Sequence, residues 1–109
     1  MPTRTISDHE VELNDDGFFV DPNQWTEDMA PVLAAESDIE ELTDRHWQVL
    51  RFMRSEFFEK GTGPTVRMLV ELVEERESVS VKELYKLFPT GPAKTAARIA
   101  GIPKPRGCI

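Results

Sequence analysis

Residues 43–61 read TDRHWQVLRFMRSEFFEKG, and this stretch predicts the main helix of a helical protein. Thr43 is a favoured N-cap residue and Gly61 is typical of the position just past a helix end, so the helix should span Asp44–Lys60. Side chains suited to a core recur at spacings of three and four, which places them on one face. They are His46, Val49, Leu50, Met53 and Phe57, with Trp47 beside them.

One helix is predicted on each side of this stretch. Residues 26–36 form the first, although Pro31 in its middle removes a backbone donor and favours a bend. Residues 64–76 form the second, because Pro64 suits the first turn of a helix. The inward face of this second helix should carry four apolar residues, Val66, Leu69, Val70 and Val73.

Two more helices are predicted towards the C-terminus. Residues 80–83 read SVKE, which has the form of a capping box and should begin a short helix that ends before Pro89. Pro92 opens the last helix and Gly101 ends it. The small side chains of this last helix permit close packing, namely those of Ala93, Ala96, Ala97 and Ala100.

The N-terminal part predicts a β-hairpin. Residues 9–13 alternate in polarity, residues 18–20 are apolar, and Asp16-Gly17 between them is a strong turn signal. We therefore expect a mainly α fold, a small helical bundle with an N-terminal β-hairpin and a flexible C-terminal arm that bears the cysteine. The expected single domain over residues 1–109 comprises a hairpin at 6–22, a bundle at 23–100 and an arm at 101–109.

Composition favours a soluble globular protein of the cytoplasm. The chain has 109 residues, enough for one modest core. No apolar run approaches the ~20 residues needed to span a bilayer, and the first residues lack the apolar region of a secretory signal. A single cysteine cannot form an internal disulfide, which fits a reducing compartment.

Charge is distributed unevenly along the chain. The net charge is −7, yet residues 82–109 contain six basic residues and one acidic residue. This segment therefore carries +5, and residues 1–81 carry −12. The acidic part disfavours nucleic-acid binding, whereas the basic end either attracts an anionic partner or forms an ordinary solvated helix face.

The only cysteine, Cys108, is the penultimate residue and lies on the predicted arm. A cysteine used for packing is normally inside a helix or strand, whereas chain ends are the most accessible part of a domain. Two prolines stiffen the arm, and Gly107 frees the backbone next to the sulfur. Lys104 and Arg106 favour the nucleophilic thiolate over the thiol. We interpret Cys108 as a thiol presented on an arm; the alternative is a chance cysteine at a chain end.

Several motifs resemble one protein family. At the C-terminal end they are LFP at 87–89, GPAK at 91–94, IAGIPKP at 99–105 and GC at 107–108. Together they resemble the signature of the DsrC/TusE family, whose members are small sulfur carriers that hold persulfide sulfur on a penultimate cysteine. The resemblance extends to HW at 46–47 and PTVRMLV at 64–70, and more weakly to DGF at 16–18 and NQW at 23–25.

The resemblance implies that Cys108 carries sulfur and that one family feature is missing. DsrC proteins have a second cysteine eleven positions before the penultimate one, and this position is Ala97 here. The single-cysteine pattern is similar to that of TusE members, which act in a sulfur relay towards 2-thiouridine in tRNA. Such a protein is a persulfide carrier rather than a stand-alone catalyst, and it uses neither a metal nor an organic cofactor.

Other residues are candidates for a supporting role beside the thiol. Arg67 interrupts an apolar helix face, and it either forms a structural ion pair or lines the site where the tail docks. Lys94 and Arg98 lie about one turn apart on the last helix. The full predicted set is Arg67, Lys94, Arg98, Lys104, Arg106 and Gly107. No spacing of His, Cys or carboxylates predicts a metal site.

Three functions remain open from the sequence. The first is a TusE-like relay, with sulfur-donor and sulfur-acceptor proteins such as TusBCD-like complexes as partners. The second is a DsrC-like carrier or regulator of dissimilatory sulfur metabolism, whose partners would resemble sulfite reductase or heterodisulfide reductase. The third is a helix-turn-helix nucleic-acid-binding protein, which the acidic residues 1–81 disfavour. Binding to a membrane or directly to nucleic acid is not favoured.

Overall fold

The computed structural model describes residues 3–61 and 66–104, without the side chains of Val66 and Leu69. In this part of the chain a two-stranded antiparallel hairpin precedes five α-helices, which confirms the predicted fold class. The strands are β1 (Thr3–Ile6) and β2 (His9–Glu12), and a 3-10 turn covers Pro22–Gln24. The helices are α1 (Met29–Glu36), α2 (Asp44–Lys60), α3 (Val66–Glu77), α4 (Val81–Leu87) and α5 (Pro92–Ile99).

The main helix, α2, begins and ends where the sequence predicts. The Thr43 side chain accepts a hydrogen bond from the backbone of His46, and the Thr43 N–H donates to Nδ1 of His46 at 3.0 Å. The other ring nitrogen, Nε2, therefore carries the proton and donates to the carbonyl of Leu87 at 2.8 Å. His46 is thus a buried residue that caps α2 and ties it to the end of α4. Gly61 ends α2 with a φ of 73°.

The hairpin lies one turn earlier than predicted. β2 pairs with β1, from Thr3 opposite Glu12 to Ile6 opposite His9. The predicted later turn also forms: Asn14 N–H donates to the Phe18 carbonyl, Val20 N–H donates to the Glu12 carbonyl, and Leu13 and Phe19 form an isolated bridge, but residues 18–20 are not a regular strand. Phe18 and Phe19 are both buried. Neighbouring strand residues point to opposite faces, so a regular strand could bury both phenylalanines only if both of its faces were covered.

The first helix is shorter than predicted. α1 begins at Met29 rather than at residue 26, so Pro31 is its third residue. The backbone N–H of a residue in the first turn has no partner within the helix, and a proline there costs no hydrogen bond. Pro31 therefore fits the start of the helix and does not bend its middle.

The last helix, α5, packs against α1, α2, α3 and α4. Its three alanines, and Ala100 just after it, are almost fully buried, as the predicted close packing requires. On α3, Val73 is buried and Val70 packs against the core, while Pro64 and the side chains of Val66 and Leu69 lie outside the described residues. None of the described helices is long and apolar enough to cross a lipid bilayer.

Candidate functional site

The end of α5 leads into the described part of the predicted cysteine arm. We call residues 100–104 the tail root. Ile102 is 2% exposed, and its N–H donates to the carbonyl of Ala97 at 3.1 Å. Gly101 is also buried and ends the helix with a φ of 69°. The arm was predicted to leave the body at residue 101, and this boundary was wrong, because Gly101 and Ile102 are packed into the body.

Trp25 covers the tail root from the segment before α1. A Cβ atom added to Gly101 would overlap the Cβ, Cγ and Cδ1 atoms of Trp25, so the indole occupies the space that any other residue would need. The indole Nε1 donates to the carbonyl of Ile99 at 2.8 Å. This carbonyl belongs to the last turn of α5, where the helix itself supplies no donor.

Arg54 binds the tail root from the side of α2. Its Nη1 donates to the carbonyl of Ala100 at 2.7 Å, and its Nη2 donates to the carbonyl of Pro22 at 3.2 Å. The guanidinium carbon lies 4.2 Å from the centre of the Trp25 ring and 5.1 Å from that of Phe58. Burial lowers the pKa of Arg54, but an arginine remains charged at neutral pH.

Asp16 contacts two of the predicted basic residues. The Nζ of Lys104 lies 3.6 Å from Oδ2 of Asp16, and Nη2 of Arg98 donates to the Asp16 carbonyl at 3.3 Å. Arg98 also lies over the ring of Phe18, at 5.0 Å from its centre. The turn after β2 therefore holds the last described residue of the tail through an ion pair.

The tail root as a whole is a cationic surface around a helix end. Arg54 binds two carbonyls and lies over two aromatic rings, so the charge presented there comes from Arg98 and Lys104. The carboxylate of Asp16 lies 3.6 Å from Lys104. Positive charge favours the ionised form of a nearby thiol or persulfide, and the effect weakens with distance and salt.

A family model described as "DsrC like protein" matches residues 5–109. The chain belongs to the DsrC-like family. It is 47% identical to the sulfurtransferase TusE of Pectobacterium atrosepticum over 96 residues, which cover 85% of this chain and 87% of that relative. The family resemblance in the sequence is therefore confirmed.

Solved structures of the family share the whole fold. The NMR structure of Allochromatium vinosum DsrC is 36% identical, with a TM-score of 0.82 over 98% of this chain and 97% of that one. The oxidised gamma-subunit of the dissimilatory sulfite reductase (DsrC) from Archaeoglobus fulgidus is 39% identical, with a TM-score of 0.78 over 99% and 100% of the two chains.

The structure brings some of the predicted site residues together. Arg98 and Lys104 meet at Asp16, and Lys94 lies one turn before Arg98 on α5. Arg67 has an 89% exposed side chain on α3 and pairs with Glu71 at 3.3 Å, in line with the ion-pair alternative. The remaining predicted residues, Arg106, Gly107 and Cys108, lie outside the described residues.

Two residues at the tail root were not among the sequence candidates. Trp25 carried a signal, since it lies in the NQW motif that resembles the family. Arg54 carried none, because it borders the apolar stripe of α2, where an arginine is an ordinary choice. Its partners, Pro22 and Ala100, are 32 and 46 residues away in the sequence.

Proposed function

We propose that this protein is a TusE-like sulfur-relay protein, which accepts and passes on persulfide sulfur through Cys108. One observation carries the proposal: the family match extends to residue 109 of a chain that has a single cysteine, at position 108. The relatives named sulfurtransferase TusE, at 42–47% identity over most of the chain, support the same function.

Sulfur transfer through Cys108 needs two exchange steps. The Cys108 thiolate attacks the outer sulfur of a donor persulfide; a new S–S bond forms, the S–S bond of the donor breaks, and the donor leaves as a thiolate. The loaded Cys108 persulfide then loses its outer sulfur to an acceptor thiolate in the same way, and Cys108 leaves as the thiolate. The sulfur atom moves without a net change in oxidation state, so neither step requires an external oxidant.

Ala97 makes the protein depend on other thiols for unloading. The side chain at this position is fully buried in α5 and carries no sulfur. An internal disulfide therefore cannot expel the bound sulfur, and a partner thiol must take it. This dependence favours a carrier that acts between proteins over a stand-alone catalyst.

The partners and the compartment of the protein follow from the proposed TusE-like function. We propose a cytoplasmic relay towards 2-thiouridine in tRNA, with a TusBCD-like complex on the donor side. The cationic tail root suits the approach of anionic persulfides held by such partners.

A second candidate is a DsrC-like carrier that serves a sulfite reductase. The structural relative from Archaeoglobus fulgidus, which is described as a gamma-subunit of that enzyme, favours it. The two candidates differ in a simple binding experiment, because only the second predicts a stable complex with a dissimilatory sulfite reductase.

Intact-mass spectrometry tests the proposed function. The folded protein is incubated with a cysteine desulfurase, L-cysteine and the intermediate carriers of a relay, and Cys108 should gain the mass of one sulfur atom. The added mass should disappear after treatment with a thiol and should be absent from Cys108→Ser. A wild-type protein that stays unmodified, while the upstream carriers are loaded, would refute the proposal.

A further inference from the structure

We propose that Arg54 and Trp25 are positioning residues for sulfur transfer, because they fix the point from which the cysteine-bearing segment leaves the body. This inference rests on the proposed function of Cys108. It assigns no chemistry to either residue, since both act on the backbone of the tail root.

The two side chains supply what the end of α5 lacks. The last carbonyls of a helix have no donor within the helix. Trp25 donates to Ile99 O at 2.8 Å, and Arg54 donates to Ala100 O at 2.7 Å, so two consecutive carbonyls receive hydrogen bonds from different parts of the chain. The direction in which the backbone leaves the helix is thereby set by tertiary contacts.

The same two residues also hold each other. Arg54 lies over the Trp25 ring, and its second nitrogen binds the carbonyl of Pro22, three residues before Trp25. The indole in turn fills the space beside Gly101. Displacement of the tail root would therefore break two hydrogen bonds to carbonyls and separate a cation from an aromatic ring.

Fixing the tail root shortens the reach of the thiol. Cys108 is four positions after Lys104, a span of at most about 14 Å. If the chain were released from residue 100, Cys108 would be eight positions from the fixed point and the span would double to about 28 Å. The volume open to the sulfur would then rise about eightfold, and its effective concentration at a partner bound to the body would fall accordingly.

Hydrogen exchange measured by NMR tests the positioning step directly. In Arg54→Gln, the Trp25 indole N–H and the Ile102 amide should exchange about tenfold faster or more, since a bond from a charged donor is lost. Amides in the middle of α2 exchange through global unfolding and should speed up only as far as the free energy of unfolding falls, so a larger acceleration at Ile102 marks local release. Trp25→Phe keeps a ring near Gly101 without its donor, so it should speed the Ile102 amide by a smaller factor.

Arg51→Gln is the matched control. Arg51 lies on the same helix, at 5.3 Å from the centre of the Trp47 ring and 3.6 Å from Glu27, and its side chain is 67% exposed. It therefore shares the cation–aromatic contact but has no contact with the tail root among those described. Equal effects of Arg51→Gln and Arg54→Gln on the Ile102 amide would overturn the inference.

Two routes of sulfur loading test the functional consequence. Inorganic polysulfide gives one sulfur atom to the Cys108 thiolate and leaves one sulfur shorter, and this small donor needs no fixed tail root. Loading from polysulfide should therefore be equal in wild type and Arg54→Gln. Loading by the desulfurase relay should show a kcat lowered several-fold with KM nearly unchanged, because the partner still binds the body while the thiol reaches it less often. Arg54→Lys should restore part of the loss.

The outcomes separate the two proposals. A relay that loads wild type and Arg54→Gln with the same kcat overturns the positioning role alone. A wild-type protein that takes sulfur from polysulfide but never from the relay overturns the proposed function, and the positioning role falls with it.

Discussion

Two arginines of α2 bind distant parts of the chain in opposite electrostatic settings. At the corner between α3 and α4, Arg45 donates to both carboxylate oxygens of Glu83, at 2.7 and 3.0 Å, and to the carbonyl of Ser78 at 3.2 Å. At the tail root, Arg54 binds two carbonyls and two aromatic rings, and no described carboxylate lies within 4 Å of it.

The pKa values of the two arginines respond in opposite directions. The hydrogen bond with Glu83 raises the pKa of Arg45, whereas burial lowers the pKa of Arg54. At the corner between α3 and α4, Glu83 neutralises the charge of Arg45 in an ion pair that connects α2 to α4. At the tail root Arg54 keeps its charge among neutral partners, because its nitrogens bind two carbonyls and its guanidinium lies over the rings of Trp25 and Phe58. The comparison teaches that two arginines of one helix can bind the backbone with an ion pair or without one.

The largest effect is expected from adding one methyl group at the tail root. Gly101→Ala places a Cβ atom where it overlaps Cβ, Cγ and Cδ1 of Trp25, at a positive φ, so it should lower the free energy of unfolding by about 2–5 kcal/mol. Gly61→Ala is the control at the end of α2, where φ is also positive but nothing lies within 4 Å of the added atom. It should cost about 1–2 kcal/mol, from backbone strain alone. Equal losses in urea unfolding would show that Trp25 yields easily and does not hold the tail root.

Substitution of Arg54 and of Arg45 should lower the stability of the protein with different dependence on salt. Arg54→Gln should lower the free energy of unfolding by about 1–3 kcal/mol, with little change up to about 1 M salt, because its partners are neutral. Arg45→Gln should cost less, and the loss should shrink as salt screens the ion pair with Glu83. Urea titrations at several salt concentrations measure both. A loss in Arg54→Gln that vanishes in salt would reveal a carboxylate partner and remove the contrast.

A pH titration should find the corner more acid-sensitive than the tail root. The hydrogen bond with Arg45 holds the pKa of Glu83 below its ordinary value of 4.5. A lowered folded-state pKa stabilises the protein above the unfolded value, and this contribution is lost as the pH falls through the folded value. Wild type should therefore lose more stability than Glu83→Gln between about pH 5 and pH 3, by a small amount because the pair is exposed. Arg54→Gln should keep the wild-type dependence of stability on pH.

Glu75→Gln, at an exposed position of α3, is the control for this titration. Parallel stability curves for wild type and Glu83→Gln would contradict a lowered pKa of Glu83.

The smallest effect is expected on the reactivity of Cys108. Lys104→Gln removes a positive charge four positions from the thiol and should slow alkylation by iodoacetamide at neutral pH by about twofold. The change is small because water and salt screen the charge of Lys104. Lys82→Gln removes a charge from an exposed position of α4 and should leave the alkylation rate unchanged. Identical pH–rate profiles for all three proteins would restrict Lys104 to its ion pair with Asp16.

The local features of the fold could be predicted from the sequence. Thr43 and Gly61 bound α2, Ser80 caps α4, and Pro92 opens α5, as predicted. Each of these signals acts between residues at most four positions apart, so a short stretch of sequence contains the whole interaction. The family resemblance likewise depended on local motifs, and those at 99–105 and 107–108 identified Cys108 as the candidate site.

The partners of these elements were decided by the tertiary structure. The strand paired with β2, the start of α1 and the course of the chain after Gly101 all differed from prediction. Trp25 binds Ile99 across 74 positions, and Arg54 binds Ala100 across 46. A backbone carbonyl or an aromatic face has no distinctive sequence pattern, because every residue supplies the first and ordinary core residues supply the second. The sequence by itself therefore determined where α2, α4 and α5 begin and that the single cysteine is the penultimate residue. Only packing decided where the path to that thiol starts, since the hydrogen bonds and ring contacts that hold the tail root exist only after distant segments meet.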